Sequence, residues 1–130
     1  MTSAVKNPVA HVAVKVQVTF KPEESDATHD HWVYSYKITL HNTGKAAARL
    51  LTRHWIVTDG DERVQEIHGE GVVGRQPYLR PDDIFEYQSR VAIETPIGSM
   101  RGSFQMITDD GEQFDAPVAP FTLAPPNSLH

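Results

Sequence analysis

The chain has no cysteine. Disulfide staples, thiolate metal sites and cysteine nucleophiles are therefore excluded together. No apolar run approaches the roughly 18 residues of a membrane-spanning helix, so no membrane insertion is expected. The start MTSAVKNP has no charged-then-apolar profile of a secretory leader, which makes the cytoplasm the expected location. Basic charge is also short: 12 Lys and Arg stand against 17 Asp and Glu, a net charge of −5. Stable nucleic-acid binding, which depends on many phosphate-neutralising cations, is not expected. What remains is 130 residues with 39% hydrophobic and 22% charged side chains, the composition of one globular domain with its own core. Only the ends, at about 1–8 and 124–130, read as short flexible tails.

Periodicity supplies the fold class. Val12, Val14, Val16, Val18 and Phe20 alternate with Ala13, Lys15, Gln17 and Thr19, a half-buried strand. The segment KPEESDATHDH interrupts it with a charged loop, after which Trp32, Tyr34, Tyr36, Ile38 and Leu40 resume period two. Leu50 to Thr58 is apolar on both faces, as an interior strand or one that changes partners should be. Arg63 to Ile67 is a short fourth strand, followed by a glycine-rich segment and RQPYLRPDD, through which Pro77 and Pro81 allow no helix. Two further strands cover Phe85 to Ile93 and Met100 to Met106. Asp109-Asp110-Gly111 then turns into Phe114 and the final segment Val118 to Leu123. Seven to eight strands at this spacing, with no convincing helix, predict an all-β antiparallel sandwich.

Three places could hold chemistry. Gly69, Gly71 and Gly74 match the G-x-G-x-x-G pattern of dinucleotide-binding turns. In those folds the pyrophosphate sits at a helix N-terminus, whereas here prolines exclude the helix and Glu70 brings negative charge. The glycines then serve a tight loop, or form an anion nest aided by Arg75. His29 and His31, behind Glu23, Glu24 and Asp26, share a face if extended and would bind a divalent cation weakly; the other reading is a solvated charged loop. Arg53 and His54 are strand neighbours that point to opposite faces, so they form no joint site. Trp55 fills the core, and Arg53 packs its stem or pairs with an acid. No serine occupies a G-x-S-x-G elbow, and no catalytic constellation or cofactor site can be written.

Taken together, YSYKITLHNTG (Tyr34 to Gly44), LLTRHWIVTDGD (Leu50 to Asp61), VQEIHGEGVVGRQPYLRP (Val64 to Pro81), FEYQS (Phe85 to Ser89) and TPIGSMRGSFQM (Thr95 to Met106) make the chain resemble the bacterial ApaG family over nearly its whole length. One departure is Pro81-Asp82-Asp83, where a glycine is expected after the proline. The resemblance implies a fibronectin type III or immunoglobulin-like sandwich and a link to cobalt resistance and magnesium efflux. It also implies genetic neighbourhood with a diadenosine tetraphosphate hydrolase. Related domains in eukaryotic F-box and polymerase-interacting proteins imply an interaction role, with no catalytic residues to carry over. The expectation is a non-enzymatic interaction module with a protein partner. A phosphate- or nucleotide-binding loop at Gly69 to Gly74 and a weak divalent-metal binder at His29 and His31 are the alternatives.

Overall fold

The computed structural model describes residues 9–126. Eight strands follow one another: β1 (Val12–Phe20), β2 (Trp32–Asn42), β3 (Ala48–Asp59), β4 (Val64–Glu70), β5 (Tyr78–Leu79), β6 (Ile84–Ile93), β7 (Gly98–Thr108) and β8 (Gln113–Leu123). One sheet has the order β1-β2-β6. The other runs β4-β3-β7-β8, with the two-residue β5 also pairing with β3. All pairings are antiparallel, so the sandwich has the architecture expected from the alternating pattern. The expected tails lie outside the described residues except for 124–126.

Alternation decides which side chains meet between the sheets. Tyr34, Tyr36, Ile38 and Leu40 of β2 and Trp55 and Val57 of β3 are buried, as are Met100, Phe104 and Met106 of β7. Trp55 is the hub: Tyr36, Phe104 and Phe121 approach it at centroid distances of 5.6, 5.7 and 6.1 Å, all edge to face, the arrangement aromatic quadrupoles favour. Gly102 permits this packing, since a Cβ there would come within 2.8 Å of the indole and 2.1 Å of the His54 carbonyl oxygen. Pro117 and Pro120 both fall in β8, an edge strand, where a missing amide is tolerated.

Two details differ from the sequence expectation. The charged segment after β1 is not a free loop: it forms two 3₁₀ turns, Pro22–Glu24 and Ala27–His29, and folds back on the three-stranded sheet. The Lys21 amide donates to Val33 O at 2.9 Å, and Arg90 of β6 reaches Glu24. Val33, on the outer face, is buried. Second, β4 runs on to Glu70 rather than stopping at Ile67, so Gly69 is a strand residue. β3 is the interior, partner-changing strand expected, lying between β7 on one side and β5 and then β4 on the other, and it carries a bulge between Leu50 and Thr52. Ala48 and Leu50 point inward before it, Trp55 and Val57 after it, which explains why this strand looks apolar on both faces.

Candidate functional site

The bulge positions the glycine loop. Leu51 has no partner in β7, and its carbonyl instead accepts from the Gly71 amide at 2.8 Å and from Gln76 Nε2 at 2.9 Å. Arg53, inward-facing on β3, adds a second anchor: its Nη1 donates to the carbonyls of Glu70 at 3.0 Å and Gly71 at 2.9 Å. Its partners are thus backbone carbonyls rather than an acid. Val72 and Arg75 then exchange both backbone hydrogen bonds, at 2.8 and 2.9 Å, and enclose Val73 (φ 44°) and Gly74 (φ 80°). Positive φ at both central residues is the signature of a type I′ turn, which favours Asn and Gly. Valine at the first of these positions is strained, because a β-branched side chain disfavours left-handed backbone. Val73 is nevertheless 57% exposed.

The sequence-predicted loop residues separate accordingly. Gly71, Gly74 and Arg75 line an open depression of about 260 Å³ with Glu70 and Gln76, whereas Gly69 lies apart in β4, under Arg53. The amides of Gly71, Val72 and Arg75 already donate to carbonyl oxygens within the fold. The Arg75 guanidinium sits 5.2 Å above the centroid of Phe85, a cation–π contact that ties the loop to β6. On the loop's far side, the expected glycine after Pro81 is replaced by Asp82 in a left-handed conformation, φ 72°. The turn from Arg80 to Asp83 is closed by Asp83 N donating to Arg80 O at 2.9 Å and is tied to β2 by Asp82 N donating to Asn42 O at 2.8 Å.

His29 and His31 are placed differently from each other. His29 Nδ1 lies 2.6 Å from Asp26 Oδ2. His31 is fixed through its backbone, which pairs with Asp26 in both directions at 2.7 and 3.0 Å. With Thr28 also donating to Asp26, this network holds the Asp26 carboxyl below its ordinary range; the Thr28 hydroxyl is the largest influence and His29 the next.

Sequence reasoning missed another group. On the outer face of the five-stranded sheet, Glu66 of β4 accepts from His54 of β3 at 2.6 Å and from His68 at 3.1 Å. These hydrogen bonds hold its carboxyl below the usual range, that from His54 more strongly. The Glu66-Ile67-His68 spacing was a signal that two of these side chains share a face. Which residue of β3 stands opposite depended on register.

The comparisons with known proteins agree with this architecture. The sequence profile of the ApaG domain family matches residues 22–108. Protein ApaG of Nitrosospira multiformis is 52% identical over 119 residues, covering 92% of this chain and 94% of the relative. Protein ApaG of Thiobacillus denitrificans is 49% identical over the same length and the same shares. A crystal structure from Bordetella pertussis superposes with a TM-score of 0.91 at 43% identity, covering 94% of this chain and 99% of the other.

Proposed function

We propose, for a chain that belongs to the ApaG domain family, that it is a non-enzymatic interaction module whose recognition surface is the loop edge running from Gly71 to Ile84. The observation that carries this reading is Val73. A β-branched residue held left-handed at the tip of a tight turn and left exposed costs stability in the free protein. Such strain is retained where the side chain has work to do, and loops set on a rigid sandwich are where recognition concentrates. Two more large apolar side chains on the same segment face solvent, Tyr78 at 41% and Ile84 at 61% exposure. Arg53, the Leu51 carbonyl and the Arg75–Phe85 contact hold the segment in shape, which lowers the ordering cost of binding.

The partner is a protein, recognised in the cytoplasm, and the link to cobalt resistance and magnesium efflux runs through that partner rather than through transport by this chain. Among the described residues no helix is long and apolar enough to cross a membrane.

Affinity capture from a bacterial lysate, with wild type and Val73→Asn side by side, tests this. Asparagine tolerates left-handed backbone, so the variant should melt at or above the wild-type temperature while losing the captured protein. An identical captured set from both proteins, or nothing specific from wild type, would overturn the reading.

A further inference from the structure

The outer face of the five-stranded sheet carries a cluster that the loop edge does not use. His54 and His68 are direct cross-strand partners on β3 and β4. Glu66 stands opposite Ile56 on the same face. Both histidines meet one carboxylate oxygen: Glu66 Oε2 is 2.6 Å from His54 Nε2 and 3.1 Å from His68 Nε2. The imidazoles stack with centroids 4.1 Å apart and 10° between their planes. One ligand atom from each residue lies within 4.8 Å of the other two.

From this geometry we propose that His54, Glu66 and His68 form a binding site for a divalent transition ion such as Zn²⁺, independent of the Val73 turn. Two imidazole nitrogens and a carboxylate oxygen are the donor set of borderline ions; Mg²⁺ and Ca²⁺ prefer all-oxygen surroundings. Three protein ligands on an open face leave the remaining coordination positions to water or a small exchangeable ligand.

The rearrangement required is small and local. A tetrahedral ion with bonds of about 2.0–2.1 Å spaces its ligand atoms by roughly 3.3 Å. Glu66 Oε2 must therefore withdraw by roughly 0.7 Å from His54 Nε2 and about 0.2 Å from His68 Nε2. His68 must also swing out of the stack, because parallel rings aim their lone pairs side by side rather than at a common centre. Glu66 and His68 have side chains 54% and 67% exposed and are free to make these movements, while His54, 27% exposed, is the fixed ligand. Each Nε2 must present its lone pair, so both rings take the neutral tautomer with the proton on Nδ1.

Calorimetric titration of the untagged, chelator-treated full chain with ZnCl₂ tests the site. We expect one saturable event with 1:1 stoichiometry. His68→Ala and Glu66→Gln should each weaken it about tenfold or more, while their melting temperatures confirm folding. A double variant, His29→Ala with His31→Ala, should leave the isotherm unchanged, and millimolar Mg²⁺ should not compete. Imidazole nitrogen resonances should shift on Zn²⁺ addition for His54 and His68 alone. Absence of a saturable isotherm, binding that survives His68→Ala undiminished, or binding lost in the His29/His31 variant would each overturn the proposal.

Discussion

Arg53 lies directly over its cross-strand partner Gly69: a Cβ on that glycine would stand 2.6 Å from Arg53 Nη1 and 2.7 Å from Cζ. The first glycine of the G-x-G-x-x-G pattern is therefore explained by a side chain that must pass over it to reach the carbonyls of Glu70 and Gly71. No phosphate is needed to account for it.

Gly69→Ala should displace Arg53 and release the loop, destabilising the fold by roughly 1–3 kcal/mol, the cost of uncovering hydrogen-bonded carbonyls. In an Arg53→Met background the same substitution should cost much less, because the atoms it strikes are gone. A double-mutant cycle by denaturant unfolding reads this directly. Additive effects would mean that the two residues act separately.

Gly71 and Gly74 both have positive φ, yet they should respond unequally. At Gly71 a Cβ would approach Arg75 O to 2.3 Å, whereas at Gly74 it would meet nothing within 4 Å. Gly71→Ala should cost roughly 1 kcal/mol or more, and Gly74→Ala only its smaller backbone penalty. ATP or a diadenosine polyphosphate should not raise the wild-type melting temperature saturably. A shift that disappears in Arg75→Ala would favour the nucleotide reading through ligand linkage.

Two buried tyrosines should behave oppositely when changed to phenylalanine. The Tyr34 hydroxyl donates to the Pro96 carbonyl, and burial pushes its pKa up to about 12. Tyr34→Phe should cost about 1 kcal/mol, leaving that carbonyl short of a donor. The Tyr87 hydroxyl is buried without a hydrogen-bond partner among the described residues, and burial drives its pKa far upward. Tyr87→Phe keeps the ring against Phe104 at 6.3 Å and should be neutral or stabilising by up to about 1 kcal/mol. Thermal melts of the two variants under one condition decide it.

Acid sensitivity should centre on Asp59, whose side chain is 5% exposed. Burial alone would raise its pKa, but the amides of Arg63 and Asp61 and the Arg63 guanidinium outweigh burial and hold it below its ordinary value. Because the folded-state value is the lower one, its contribution is complete above the unfolded-state value. It is lost as pH falls below the ordinary value of 3.8 and on through the lower folded-state one. Asp59→Asn should melt lower than wild type at pH 7, with the gap narrowing towards pH 3. A constant gap would assign the acid limb to other carboxylates.

The sandwich was legible because period-two burial is a local property, visible in Val12 to Phe20 and again in Trp32 to Leu40. Trp55 as a core residue followed from the same rule. The two-residue β5 was not legible, being shorter than any period, and the extent of β4 was hidden because Gly69 reads as loop until Arg53 is seen above it. The cluster of His54, Glu66 and His68 needed cross-strand register. Neighbours on β3 say nothing about which residue of β4 they face, and two imidazoles on one carboxylate emerge only once His54 is set opposite His68.

The bulge at Leu51 has a further consequence for how this edge of the sheet can vary. Along one side of β3, β5 pairs with Ala48 and Arg49, and β4 pairs from Thr52 onward; the stretch from Gly71 to Pro77 leaves and rejoins the sheet between them. Each end is clamped by its own ladder and by a backbone bond, Gly71 N to Leu51 O and Leu50 N to Pro77 O. The excursion is thus bracketed like a graft site. Residues inserted after Val73 would lengthen it without altering the register of either flanking strand, because loop closure grows only slowly with length when the ends are already fixed.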